Sequence, residues 1–277
     1  MRCDCTVLCE NSVTTALGLI GEHGWAVHVA TDDHQILFDT GQGLGLLHNS
    51  ERLGVHLDQL DGIVISHGHY DHTSGLPDAL RRTGPTDVFL HPDGFSSRYW
   101  LKDEECREIG IHFRREYLES LGARFLPIRE LTEIFPRIFL SGEIPRISTF
   151  EPPDPHMKCP AGEGRWVQDQ LRDDQSLVVR SDQGLVVILG CAHAGLINIL
   201  NHVSARFPGE PIHALFGGTH LGFAGSDQFQ ATVEALEAFE IPHIGASHCT
   251  GLDNSARLHH HFKERFFFAA AGTKLSY

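Results

Sequence analysis

Short apolar runs rich in β-branched residues recur along the chain, each followed by a polar or glycine-bearing loop. Thr6-Val7-Leu8 reads as a first strand. Residues 25–31 and 35–39 alternate, and Thr31-Asp32-Asp33-His34 joins them as a hairpin. Gly62-Ile63-Val64-Ile65 is apolar throughout and reads as a buried strand. Further strands are expected at 87–90, 124–128, 138–140, 176–180, 184–189, 212–216 and 241–246. Helices are expected over 44–53, 74–82, 194–207, 226–239 and 254–268. Residues 94–122 are aromatic and charged, and read as helices over or beside a site entrance. Residues 151–170 carry Pro152, Pro153, Pro155, Pro160, Gly162 and Gly164, which exclude a regular helix. A loop of that length inside a domain is often functional, so it reads as a lid, with a surface excursion as the alternative.

One layout occurs twice. A strand ends at Ile65, polar residues follow, and a helix begins; a strand ends at Leu189, His193 follows, and a helix begins. The repeat suggests two similar halves whose loops meet at one edge. The first of these loops is Ser66-His67-Gly68-His69-Tyr70-Asp71-His72. Extended backbone at 67–69 points His67 and His69 the same way, because side chains alternate with period two. Asp71 and His72 come just after and face a second point nearby. Two neighbouring metal ions are the economical explanation, since imidazole suits zinc, iron or manganese and a carboxylate adds negative charge. With 20 histidines in the chain, a histidine-rich surface loop is the plain alternative; a buried strand feeding the cluster argues against it.

Three later histidines, His193, His220 and His248, also stand where a strand is expected to stop, as residues of an active site do. His23 is a possible pocket residue in a polar cluster, where a lone histidine is more often structural, and His91 is read the same way. Arg98, Arg114 and Arg115 can bind a phosphate or carboxylate, although solvated helix faces explain any one of them. Cys3, Cys5 and Cys9 read as small residues in and around an edge strand, because no second cysteine pair follows at zinc-site spacing.

Leu37-Phe38-Asp39-Thr40-Gly41, residues 67–76, Leu189-Gly190-Cys191-Ala192-His193-Ala194-Gly195, Gly217-Gly218-Thr219-His220-Leu221 and Ser247-His248-Cys249-Thr250-Gly251 together carry a resemblance. The chain resembles the metallo-β-lactamase superfamily, and within it the subgroup of 7,8-dihydropterin-6-methyl-4-(β-D-ribofuranosyl)aminobenzene-5'-phosphate synthase-like metal-dependent hydrolases. The resemblance covers almost the whole chain. It implies an α/β (α+β) fold, a four-layer αβ/βα sandwich, as one domain over 1–277. It implies that one metal takes His67, His69 and a later histidine, here assigned to His193. The second takes Asp71, His72 and a late histidine, here His248. Asp39 would support the metal loop from behind.

Two positions depart from the superfamily pattern. Its bridging acid follows a strand and a glycine, and Cys191 stands there. Its usual third histidine falls near Arg172-Asp173-Asp174, where there is none. A Cys191 thiolate, substitution by Asp173 or Asp174, and a bridge of water alone remain open. His220 is either a further ligand or a group that holds substrate. The second role is adopted, because six ligands already give three per metal and leave open positions. Asp71 and His220 are the catalytic candidates.

Composition narrows the function. The chain has 277 residues, enough for a full core, and a net charge of −14. That charge argues against a nucleic-acid groove, which needs a basic face. No run approaches the length of a membrane span. Seven cysteines without a regular framework, and no signal segment, suggest a reducing, cytoplasmic setting. The expected function is a dinuclear metal-dependent hydrolase in which a metal-bound hydroxide attacks a small ester, phosphoester or lactone. The expected cofactors are two divalent ions, zinc first, with iron or manganese as alternatives; the expected partner is a small-molecule substrate. One alternative function is a synthase or transferase joining a pterin precursor to a ribosyl-phosphate compound. Another is a diiron redox or binding protein. Diiron relatives usually have an acid where His69 stands here and carry a flavin domain, which counts against that alternative.

Overall fold

Apolar runs become strands in three sheets, and the computed structural model describes all residues 1–277. The first sheet runs in the order β18 (Lys274–Ser276), β1 (Cys3–Cys9), β2 (Ala26–Thr31), β3 (Gln35–Phe38), β4 (Gly62–Val64), β5 (Thr86–Leu90) and β8 (Ala123–Pro127). The expected β2–β3 hairpin is antiparallel, and β3, β4, β5 and β8 are parallel. The second sheet runs β17 (Phe266–Phe268), β16 (His243–Ser247), β15 (Ile212–Gly218), β14 (Gly184–Leu189), β13 (Leu177–Ser181), β10 (Ile138–Leu140) and β9 (Thr132–Phe135). Here β14 to β17 are parallel. The loops that follow β3, β4, β14, β15 and β16 gather at one edge, as ligand-bearing loops of parallel strands do.

The two sheets pack face to face. Val27, Val29, Phe38 and Val64 of the first meet Leu177, Val179, Val186, Ile188 and Phe216 of the second. The outer face of the first sheet is covered by α1 (Leu46–Leu53), α3 (Leu76–Thr83) and α4 (Arg115–Ser120), through Leu46, Leu76, Leu80 and Leu118, while the short α2 (Tyr70–Thr73) lies in the loop after β4. The outer face of the second is covered by α5 (Leu196–Arg206), α6 (Ser226–Glu237) and α7 (Leu252–Phe262), through Leu200, Val233 and Leu258. The result is the four-layer αβ/βα sandwich. Central strands bury both faces, which is why they read as continuous apolar runs rather than alternating ones. No helix is long and apolar enough to cross a membrane.

The third sheet overturns two expectations. Residues 94–122 are not mainly helical: they contain β6 (Tyr99–Lys102) and β7 (Glu105–Glu108), with α4 the only α-helix. Residues 151–170 are not a structureless loop either, since they contain β11 (Met157–Pro160) and β12 (Trp166–Gln168). The four strands pair in the order β12-β11-β6-β7. A lone two-stranded hairpin is marginal in water, and pairing the two hairpins across β6–β11 supports both.

The chain end also differs. The final helix stops at Phe262 rather than 268, Lys263 takes φ +51°, and three phenylalanines turn into β17. Aromatic residues suit a pleated, half-buried strand better than another helical turn.

Phe216 on β15 is fully buried between the sheets, its ring 6.5 Å from Trp25. Phe216→Ala is expected to cost about 3–5 kcal/mol. Urea unfolding monitored by circular dichroism measures this, and a loss under about 1 kcal/mol would contradict the packing described.

Candidate metal centre

The centre is built from the ends of β3, β4, β14, β15 and β16. Asp39, Ala192, His220 and His248, at four of these ends, are non-glycine residues with φ between +51° and +59°. Such backbone is uncommon for L-residues and collects at functional sites, where surrounding contacts hold it.

Asp39 is fully buried and organises the first loop. Its carboxylate accepts the Ser66 backbone N–H and the Ser66 hydroxyl, each at 2.7 Å, and His72 Nδ1–H at 2.7 Å. The one hydroxyl proton of Ser66 is thereby committed, so its oxygen accepts from His67 Nδ1 at 2.9 Å. His67 and His72 therefore both carry a proton on Nδ1 and turn Nε2 inward. Short backbone contacts hold the same loop. A Cβ added at Gly68 would lie 1.9 Å from the Gly94 carbonyl oxygen, which explains the glycine between His67 and His69.

His67 Nε2 lies 3.0 Å from His69 Nδ1 and 3.2 Å from His193 Nε2. One lone pair cannot accept well from both rings. A cation among the three nitrogens satisfies all of them. A second group forms around Asp71. Asn11 Oδ1 accepts the Gly24 N–H at 3.4 Å, which sets the amide orientation, and also accepts His248 Nδ1–H at 3.0 Å. His248 Nε2 is then bare and faces Asp71 Oδ2 at 3.2 Å. Two acceptors in that position repel each other unless a cation sits near both. His23 Nδ1 accepts from the Asn11 side-chain amide at 3.3 Å, so His23 Nε2–H donates to Asp71 Oδ2 at 3.2 Å.

Cys191 stands between the groups. Its Sγ is 3.1 Å from His72 Nε2. Ligand atoms lie within 4.8 Å of one another in each of four sets: His67, His69 and His193; His23, Asp71 and His248; His67, His72 and Cys191; and Cys191, His248 and Cys249. The donor chemistry, imidazole with carboxylate and thiol, suits a borderline divalent ion such as zinc. Electrostatics agree. Burial, with neighbouring rings adding to it, holds the His67, His69 and His193 pKa values well below normal, so their lone pairs are available. Burial raises the pKa of Asp71, but the neighbouring His72 and the hydrogen bond from His23 outweigh it and hold the carboxyl well below its usual range. Burial likewise opposes a charged His72, yet Asp39 and Asp71 bring it to about 9.

His220 lies outside the four sets. Its ring centroid is 4.4 Å from that of His193, and its Nε2 is 3.6 Å from Asp154 Oδ2. Burial lowers its pKa, but Asp154, with Cys249 nearby, raises it to about 9. The two acids considered as substitute ligands are committed elsewhere. Asp173 accepts the Gly68 N–H at 2.8 Å and pairs with Arg98 at 2.7 Å; Asp174 accepts the Ala194 N–H at 2.8 Å. His91 pairs with Glu143 and does not line the cavity.

The chain matches the family described as Metallo-beta-lactamase superfamily over residues 19–161, just over half its length. An uncharacterized protein of Methanocaldococcus jannaschii is 30% identical, over 86% of this chain and 87% of that protein. The chain belongs to the metallo-beta-lactamase superfamily. The chain is also 28% identical to the 7,8-dihydropterin-6-methyl-4-(beta-D-ribofuranosyl)-aminobenzene-5'-phosphate synthase of M. jannaschii, over 91% of this chain and 88% of that enzyme. Tm1679, a metal-dependent hydrolase of the superfamily, has a crystal structure that aligns with a TM-score of 0.85 at 30% identity, covering 99% of this chain and 98% of that one. A diphosphatase of the PhnP family shares the superfamily fold, with a TM-score of 0.57 at 16% identity over 100% of this chain and 98% of that one.

Three contributors were not expected. Glu10 accepts the His248 backbone N–H at 2.6 Å, Asn11 orients His248, and Arg98 is buried rather than solvated. Glu10-Asn11 is visible in the sequence as a polar pair after a strand, but nothing in its spacing points to a histidine 237 positions away.

Asp39→Ala removes the acceptor that sets both the His72 and the Ser66–His67 orientations. Affinity for zinc is expected to fall about 10–100-fold, the usual effect of losing a group that orients metal ligands. Competition with a chromophoric chelator measures it, and unchanged affinity in a folded variant would refute the role.

Proposed function

We propose that the chain is a dinuclear metal-dependent hydrolase acting on a small ester, phosphoester or lactone, and that 1–277 works as one domain. The observation that supports this most is the bare His248 Nε2 facing Asp71 Oδ2, beside three imidazole nitrogens that converge on one point. His67, His69 and His193 would hold one ion, and Asp71, His72 and His248 the other. Cys191, whose Sγ is nearest His72, takes the place of the superfamily's bridging acid. Two such ions, zinc in the first place, would supply an activated water and would polarise the substrate oxygen.

The chain's own residues do the rest. Asp39 and Asn11 fix the imidazole tautomers through the Nδ1–H bonds already described. His23 holds Asp71 through Nε2–H. His220, kept protonated by Asp154, donates toward the developing charge on the substrate or its leaving oxygen. A cavity of about 170 Å³ lined by His69, Asp71, His193, His220 and His248 admits one small group. A groove of about 390 Å³ adjoins it, sharing Trp100, His220 and Phe223, and has room for the remainder of the substrate. Residues 151–170, with Met157 in the cavity wall, act as part of a lid. The 28% identity with the M. jannaschii synthase supports a second reading, a synthase joining a pterin precursor to a ribosyl-phosphate compound.

Two sets of variants test the proposal on zinc-loaded protein with 4-nitrophenyl phosphodiesters and lactones as substrates. His69→Ala and Asp71→Ala are expected to lower metal content and abolish turnover with the fold retained. Full metal occupancy in both would defeat the ligand assignment. His220→Ala is expected to keep two ions and lose about 10²–10⁴ in kcat. Loss of an ion in that variant would make His220 a ligand instead. Absence of turnover in the wild type, alongside product formation from the two synthase substrates, would favour the second reading.

A further inference from the structure

Among the residues lining the small cavity, one is a lysine or arginine, and it is Arg107. Its place is set by sheet register: Arg107 on β7 is the direct cross-strand partner of Trp100 on β6. The guanidinium carbon sits over the indole, 4.4 Å from the ring centroid. Stacking of this kind limits the rotamers of a long side chain while leaving its N–H edge free. That edge is not used internally. The one carboxylate within 4 Å of it is Glu105, at 3.9 Å, and both side chains of that pair are exposed.

The other arginines with the chemistry for an anion, Arg98, Arg114 and Arg115, are spent or elsewhere. Arg98 is enclosed by Asp169 and Asp173. Arg115 is bound to Glu119, and neither Arg114 nor Arg115 lines the cavity. The chain as a whole carries a charge of −14, which opposes the approach of anions and gives a single well-placed cation more effect on which substrates enter.

Building on the hydrolase reading, we propose that Arg107 is the anion-recognising residue of this cavity, and that the substrate carries a phosphate or carboxylate next to the bond that is cleaved. The guanidinium pairs with two oxygens of that group by its fork of N–H donors. Trp100 acts as the platform that holds the fork over the cavity mouth, so Arg107 is a specificity-determining residue and Trp100 a positioning one.

The test uses the zinc-loaded full chain and three acyl esters of one alcohol: one with a free carboxylate on the acyl chain, one with a phosphate there, and one with the carboxylate methylated. The wild type is expected to favour at least one anionic ester over the neutral one. In Arg107→Gln the ratio of kcat/KM for anionic over neutral ester falls about 10–100-fold, carried by KM rather than kcat. Arg107→Lys recovers part of the ratio, which loss of a merely structural contact would not give. Which anionic ester is affected tells carboxylate from phosphate. An unchanged ratio, or an equal loss on all three esters, overturns the proposal. Calorimetric binding of succinate and of inorganic phosphate, wild type against Arg107→Gln, needs no turnover. Weaker binding in the variant with no hydrolysis by either protein would sink the hydrolase reading and leave the Arg107 assignment standing; equal binding would overturn it.

Discussion

The buried Asp39 carboxylate is the contact on which the rest of the centre depends. It accepts three hydrogen bonds in a place without solvent. A buried carboxylate is costly unless fully paired, so these donors cannot be removed one at a time without leaving charge exposed to apolar surroundings. The same three bonds decide where protons sit on His67 and His72. Charge, geometry and tautomer are thus fixed together, at the end of β3, before any ligand arrives. Preorganisation of this kind keeps facing donors close despite their mutual repulsion.

The sheets make that closeness possible. Parallel strands β3 and β4 in one half, and β14, β15 and β16 in the other, end at a common edge. Each half is anchored by its own helix layer and by the shared apolar interface between sheets. The loops can therefore hold unfavourable backbone and crowded polar groups while the strands supply the compensating stability. Left-handed conformations at Asp39, Ala192, His220 and His248 mark where the chain turns most sharply off the sheet.

Much of this was legible in the sequence, for physical reasons. β4 and β14 are buried on both faces, so their apolar runs stood out, and the histidines after them fell where strands stop. What escaped detection depends on contacts distant in sequence. Tyr99-Trp100-Leu101 has the aromatic and charged surroundings of a helix face, yet its partner is Met157-Lys158, more than fifty positions on. The phenylalanines at 266–268 continued a helical pattern until Lys263 broke it. Arg98 looked like any solvated arginine because its two acids come 71 and 75 positions later, the first of them in a segment read as a loop. The place of Cys191 was visible, but its neighbours were not: only the fold brings its sulfur to His72.

The small sheet β12-β11-β6-β7 forms its ladders only within itself. None of its strands pairs with a strand of the sandwich. It supplies Trp100, Arg107 and Met157 to the cavity wall, whereas the clustered imidazoles come from the sandwich loops. On the proposed reading, reactivity and substrate choice are therefore encoded in separate parts of one chain. Descendants of such a protein can drift toward new molecules by altering two hairpins, with the inherited chemistry carried along unchanged.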